Sequence, residues 1–236
     1  MSKAFVSVII PVYREAGHIG RLVHFLKPQL EQDGRAECLV VDAQSDDGTE
    51  AEARAAGARV LQSPRKGRAA QMNYGASKSR GTILFFLHAD SYPPEGFLDD
   101  IRARVKEGAE SGCYRLAFDE PLAVMRLYAW FTRFDVLPFR FGDQGLFVQR
   151  PVFEVEGGFD ESLVVMEDNV FIRQLRRRKR FVIIPRQLTT SARKYRENGF
   201  VRLQLIFAAI FVLHYAGLSQ EALVQFYRDV VRQNKI

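Results

Sequence analysis

Over residues 5–87 the chain alternates short apolar runs with helical patterns, and that alternation admits few folds. Residues 5–10 form a β-branched run ended by Pro11, after which Ile19, Leu22, Val23, Leu26 and Leu30 recur at helical spacing. Residues 38–41 are a second run ending at Asp42, and the turn Asp46-Asp47-Gly48-Thr49 can cap a short alanine-rich helix over 50–56. Val60-Leu61 makes a third strand. Arg65-Lys66-Gly67-Arg68 then precedes a helix over 69–77, which Gly81 closes before a fourth strand over 82–87. Strands separated by helices predict an α/β fold with a parallel sheet and right-handed crossovers.

The fourth strand runs straight into His88-Ala89-Asp90, and Pro93-Pro94 forbids its continuation. In an open α/β sheet ligands gather beyond the carboxyl ends of the strands, so an acid placed there is a candidate metal or phosphate ligand. Taken alone, the segment reads equally as a strand exit whose Asp caps the next helix. A chain of 236 residues with 47% hydrophobic content supports a substantial core, which excludes global disorder. The net charge of +6 suits a nucleotide, a phosphate or an anionic membrane surface without choosing among them. Cys38 and Cys113 are isolated within apolar runs, as expected of buried thiols in a reducing cytoplasm. Met1-Ser2-Lys3-Ala4 leads directly into a strand, so no signal peptide is expected.

The second half is less regular. Phe97, Ile101 and Val105 mark a helix, residues 112–118 alternate as a strand, and an aromatic-rich stretch over 122–141 reads as a packed helix and loop or as the lining of an acceptor groove. A strand over 145–148, a turn at Gly157-Gly158-Phe159-Asp160, a helix over 167–178 and a strand over 181–184 follow. Helices over 200–215 and 219–231 end the chain. The stretch 203–218 is apolar but, at 16 residues, short of the ~20 needed to span a bilayer. It reads first as a core or homodimer-interface helix and second as an interfacial helix giving peripheral membrane contact.

Acids stand at strand or helix ends in three places: Asp42, Asp90 and the pair Glu167-Asp168. A magnesium or manganese ion takes oxygen ligands and joins few protein groups to substrate phosphates, which suits Asp90. A carboxylate held apart from the metal can accept a proton from an attacking hydroxyl, which suits Asp168. By itself the pair Glu167-Asp168 reads first as helix capping. In Arg65-Lys66-Gly67-Arg68, Gly67 permits close backbone approach and the following helix offers free amide hydrogens to an anion. The denser run Arg176-Arg177-Arg178-Lys179-Arg180 ends a helix and reads mainly as surface, with membrane attraction the minor alternative.

In order along the chain stand Val8-Ile9-Ile10-Pro11-Val12-Tyr13-Arg14-Glu15, Val41-Asp42-Ala43-Gln44-Ser45-Asp46-Asp47-Gly48-Thr49, Gly67-Arg68-Ala69-Ala70-Gln71-Met72-Asn73 and Phe86-Leu87-His88-Ala89-Asp90. Gly142-Asp143-Gln144-Gly145, Gly157-Gly158-Phe159-Asp160, Met166-Glu167-Asp168 and Thr190-Ser191-Ala192-Arg193-Lys194-Tyr195 follow. Together these blocks resemble the family 2 glycosyltransferases of the GT-A fold, and within them the radical-SAM/selenodomain-associated transferase 2 subgroup. The resemblance implies a Rossmann-like, mostly parallel central sheet flanked by helices, with C-terminal helices. It implies a GT-A domain over 1–198, with a nucleotide-binding half over about 1–95 and an acceptor half over about 96–198, and a helical extension over 199–236 packed on the same domain.

By the same resemblance Pro11, Tyr13 and Glu15 border the base and ribose, Asp42 bonds the base, and Arg68 and Ala89 belong to the nucleotide site. Asp90 matches the second acid of the family's metal motif, and Asp168, with Glu167 beside it, matches the catalytic base. Arg193 and Lys194 fall near the diphosphate and acceptor, and Asp143 and Gln144 fall where the acceptor is met. The first motif acid is replaced by His88, a residue common in the subgroup. A neutral His still ligates a transition metal, which shifts the expected ion from Mg2+ toward Mn2+. The expectation is a cytoplasmic, inverting glycosyltransferase that takes a UDP-sugar donor and a hydroxyl acceptor, lipid-linked in one variant, and binds no nucleic acid. A sugar-phosphate nucleotidyltransferase would carry a glycine-rich loop where this chain has Pro11-Val12-Tyr13-Arg14-Glu15. A nucleotide-sugar-binding protein without turnover is the other alternative, with His88 marking a decayed site.

Overall fold

A computed structural model describes residues 4–232, so the leaderless reading at Met1-Ser2-Lys3 and the last four residues of the 199–236 extension lie outside the described residues. The first half is built as β1 (Val6–Val12), α1 (Ile19–Asp33), β2 (Ala36–Asp42), α2 (Thr49–Ala55), β3 (Arg59–Gln62), α3 (Arg68–Lys78) and β4 (Ile83–Phe86). The four strands are parallel in the order β3-β2-β1-β4. β1 and β4 are buried along their whole length because helices cover both faces, which is why they read as continuous apolar runs rather than alternating ones.

Pro11 does not end the first strand, which continues through Val12. The reason lies in the pairing. The Ile9 carbonyl accepts from Leu87 on the β4 side, and the Val12 carbonyl accepts from Ala43 on the β2 side. By alternation Pro11 faces the β4 side, where the ladder stops at the Ile9–Phe86 pair, so its missing N–H removes no ladder bond.

The second half contributes β5 (Ser91–Tyr92), α4 (Phe97–Lys106), β6 (Ser111–Phe118), α5 (Ala123–Phe131), β7 (Leu146–Gln149), α6 (Arg150–Val155), α7 (Glu167–Arg177), β8 (Phe181–Thr190), α8 (Arg193–Asn198), α9 (Phe200–Tyr215) and α10 (Gln220–Val230). The sheet continues β4-β7-β6-β8-β5, with β7 antiparallel to both of its neighbours, β6 parallel to β8 and β5 antiparallel to β8. The last strand is longer than its apolar run suggests. A bulge shifts the register from Tyr114–Ile184 to Arg115–Gln187, which accommodates Pro185 and Arg186 and lets pairing resume to Thr190. The strands β5 and the helices α6 and α8 have no counterpart in the apolar periodicity.

The core fills both faces of the sheet. One cluster packs α1 and α4 on residues such as Val8, Ile10 and Phe85, and the other packs α3 and α7 on Ile9, Leu84 and Phe86. Each fully buried Leu, Ile or Phe contributes about 1.5–3 kcal/mol. Gly75 lets α3 press on the sheet, since a Cβ there would lie 2.5 Å from Ile9 Cγ2. A third cluster joins α9 and α10 to Val165 and Met166, next to the start of α7. Because β7 runs against β4, the turn entering β7 arrives at the same edge as the loops leaving the parallel strands. That edge also receives the exit of β8.

Candidate active site

Two strand exits are tied together first. The hydroxyls of Ser91 and Thr190 lie 2.9 Å apart in the β5–β8 pair, and the Ser191 N–H donates to the Asp90 carbonyl at 3.1 Å. This brings Arg193 and Lys194 from the distal half beside Asp90. The Arg193 guanidinium meets His18 Nε2 at 2.8 Å and Glu15 Oε2 at 3.7 Å. Lys194 Nζ donates to the Tyr227 hydroxyl at 2.9 Å. Desolvation raises the Asp90 carboxyl, Glu15 adds to this, and Arg193 and Lys194 oppose it. Desolvation also holds His88 well below its usual range, helped by Arg68 and Lys194, so its imidazole is neutral at pH 7.

The second group forms where the turn entering β7 meets the start of α7. The Gly142 N–H donates to Asp168 Oδ2 at 2.5 Å, and the Asn169 N–H donates to Asp168 Oδ1 at 2.6 Å. A Cβ on Gly142 would sit 2.9 Å from Asp168 Oδ2 and 3.0 Å from His88 Nε2, so only glycine fits between these two side chains. Met166 precedes the helix with φ of 71°, a left-handed backbone that a side-chain-bearing residue adopts at a cost of about 1–3 kcal/mol. This turn aims Glu167 and Asp168 at the edge. Glu167 is buried and accepts from Arg68 at 3.0 Å; burial pushes its carboxyl up against the pull of Arg68. Asp143 rises to about 7, through burial first and then the neighbouring charges of Asp168 and Asp90. Its buried Oδ1 has no hydrogen-bond partner among the described residues.

One edge therefore gathers Glu15, Arg68, His88, Asp90, Asp143, Glu167, Asp168, Arg193 and Lys194. Five other expected site residues are placed differently. Asp42 is fully buried, and its carboxylate accepts from the Ser45 N–H at 3.0 Å, the Ser45 hydroxyl at 2.5 Å and Gln62 Nε2 at 3.0 Å, so it holds its own turn. Gln144 is buried too, binding Arg140 and donating to the Phe139 carbonyl at 2.5 Å, so its amide is engaged inside the fold. Pro11 and Ala89 are buried. Tyr13 stands with Arg14 and Lys66 over its ring, 5.4 and 5.5 Å from the centroid.

Three contributors escaped the sequence reading. His18 lies just before α1 and could have been suspected from its place in the loop after β1. Tyr227 comes from α10 and Asn169 from inside α7, and no local pattern marks either. Asn169 Nδ2 donates to the Arg140 carbonyl at 2.7 Å, and its Oδ1 accepts from the Tyr215 hydroxyl at 2.8 Å, which fixes the turn carrying Asp143.

Among the described residues no group of three or more His, Cys, Asp or Glu could hold a metal by itself. The chemistry of one pair does suit an ion that completes its shell on a phosphate ligand: a neutral imidazole at His88 and a carboxyl at Asp90. Three carboxyls with raised pKa values beside three cations make the edge suited to binding a phosphorylated ligand and moving a proton.

The sequence profile described as "Glycosyl transferase family 2" matches residues 7–154, a stretch that includes Arg68, His88, Asp90 and Asp143 and stops before Asp168 and Arg193. The glycosyltransferase AglE of Haloferax volcanii is 37% identical over 101 residues, which are 40% of this chain and 33% of that protein. The chain thus spans about a third of that curated relative. The mannosyltransferase PcManGT of Pyrobaculum calidifontis, solved with GDP-Man and Mn2+, superposes with a TM-score of 0.68 at 17% identity over 97% of this chain and 74% of its own. Glucosyl-3-phosphoglycerate synthase of Mycobacterium tuberculosis, solved with Mn2+, UDP and glucosyl-3-phosphoglycerate, gives 0.61 at 17% identity over 92% and 81%. These two structures establish the fold: a GT-A glycosyltransferase architecture.

Proposed function

The chain belongs to glycosyl transferase family 2, and from that premise we propose that it moves a sugar from a nucleotide-sugar donor, UDP-linked, to a hydroxyl acceptor with inversion at the anomeric carbon. The observation that carries this reading is the convergence of Asp90, Asp143 and Asp168 with Arg68, Arg193 and Lys194 on one sheet edge, where each half of the fold supplies part of the set. A divalent ion held by Asp90 and His88, as the Mn2+ in the two related structures suggests, would screen charge on the donor phosphates.

This chain's own groups do the rest. Arg193 and Lys194 hold the diphosphate from the β8 side and Arg68 from the α3 side, so charge growing on the leaving group meets preorganised cations. Glu167 orients Arg68 through its ion pair. Asp168 takes the proton of the acceptor hydroxyl as it attacks; its two backbone donors lock the carboxylate in place while leaving lone pairs on both oxygens. Asp143 lies beside it, where the acceptor is met. The protein divides at about residue 95 into a nucleotide half and an acceptor half, with the helices after residue 198 packed on the same domain. Tyr227, which reaches Lys194 from α10, supports that arrangement.

The test is a thermal-shift screen of UDP, GDP and ADP with and without manganese, followed by hydrolysis assays on the sugar nucleotides that stabilise. Stabilisation by UDP and turnover of a UDP-sugar are expected. Binding without turnover on any donor would favour a nucleotide-sugar-binding protein instead.

A further inference from the structure

Helix α9 is apolar on both its sides. Leu203, Ile206 and Ile210 are buried, yet Leu205 and Val212 on the opposite side are 65% and 63% exposed. A helix apolar all round is normally covered all round. α5 repeats the pattern: Met125 faces the core, while Leu127, Trp130 and the following Phe134 stand in solvent. The two helices are neighbours through Tyr195, whose ring lies 6.2 Å from Tyr128 of α5 and 6.1 Å from Phe207 of α9.

Cations surround this face. The Arg133 guanidinium sits 4.8 Å over the Trp130 ring. A groove of about 540 Å³ beside it is lined by Arg173, Arg176, Arg177 and Lys179 together with Asp135, Leu137 and Phe181. Arg176 is held by Asp135 at 2.9 Å, and Arg173 reaches over the Tyr215 ring at the end of α9 at 5.1 Å, which joins the groove to the apolar face. An exposed tryptophan under an arginine, beside apolar helices and a basic groove, has the chemistry of a protein that settles at the headgroup level of a bilayer. A second copy would bring the same cations face to face across a two-fold axis, a repulsion that lipid phosphates relieve.

We propose that the joint face of α5 and α9, with the basic groove beside it, docks on an anionic lipid surface. No helix among the described residues is long and apolar enough to cross a membrane, so the contact is peripheral. Docking depends on neither the donor nor the reaction proposed above.

Trp130 is the sole tryptophan of the chain, so it reports directly. The full-length protein would be mixed with vesicles of phosphatidylglycerol and phosphatidylcholine, and separately with phosphatidylcholine alone. Expected are a blue shift of Trp130 emission and flotation with the anionic vesicles only, both reversed by salt at about 0.5 M. Arg173→Glu with Arg177→Glu, and separately Leu205→Gln with Val212→Gln, should each weaken partitioning roughly tenfold while unfolding at the wild-type temperature. Absence of shift and flotation, equal binding to neutral vesicles, or a dimer in solution that Leu205→Gln with Val212→Gln dissociates would each overturn the proposal. Should a variant fail to fold, the comparison of the two vesicle types on the wild-type protein still decides it.

Discussion

Asp42 and Asp90 occupy equivalent places, each at the end of a strand flanking β1, yet they live in opposite surroundings. Asp42 is closed off by donors from its own turn and from the neighbouring strand β3. Asp90 has Glu15, Arg193 and Lys194 for electrostatic neighbours, and its carboxyl is raised rather than quenched. A carboxylate at a strand end is thus saturated when donors come from its own turn and the next strand, and left open to a ligand when its neighbours arrive from far along the chain as charges. At the β7–α7 seam Asp143 keeps a buried oxygen without a hydrogen-bond partner among the described residues.

The largest effect should fall on the seam. Asp168→Asn keeps the shape and one acceptor oxygen but loses the proton-accepting charge, so transfer should drop by about 10²–10⁴-fold while nucleotide-induced thermal stabilisation persists. Normal turnover in that variant would remove Asp168 from its role. Asp42→Ala should do the reverse. Leaving the donors of Ser45 and Gln62 unpaired should cost about 1–3 kcal/mol in urea unfolding, and the contrast breaks if stability is unchanged and only donor binding is lost.

The smallest effect concerns protons. In the folded protein Asp143 holds its proton up to about 7. The unfolded chain releases it near pH ~4. The folded state therefore carries more protons between those values, and stability falls as pH rises through that window. Asp143→Asn should flatten the fall, an effect on the order of 1 kcal/mol because the neighbouring carboxyls that raise it titrate as well. Superimposable pH profiles of wild type and variant would show that Asp143 is not crowded by its neighbours.

The βα alternation over residues 5–87 made the parallel half legible, because buried strands must be apolar and crossovers must be helical. The reversal at β7 was not legible, since strand direction leaves no trace in a run as short as Leu146–Gln149. β5 pairs only two residues, and α8 is too polar to show a helical period. The aromatic stretch after residue 122 proved only partly core: Trp130 and Phe134 remain exposed. Residue types and order singled out Asp90, Asp168 and Arg68, whose motifs lie next to recognisable strand and helix ends and which the fold brings to one edge. They also announced Asp42, whose type and place were right but whose burial depends on Gln62, a residue in another strand. Tyr227 and Asn169 could not be read at all, because a hydrogen bond to Lys194 or to the Arg140 carbonyl exists only after packing.

The reach of these contacts along the chain has a kinetic consequence. Arg68 pairs with Glu167 across 99 positions, and His18 meets Arg193 across 175. Contacts of such separation form late, because the loops they close must first lose their freedom. A chain emerging during synthesis can pair β1 to β4 early and still lack a working site. The cluster is complete only once Arg193 has returned to His18 in the first loop, so its assembly requires the whole sheet to have formed.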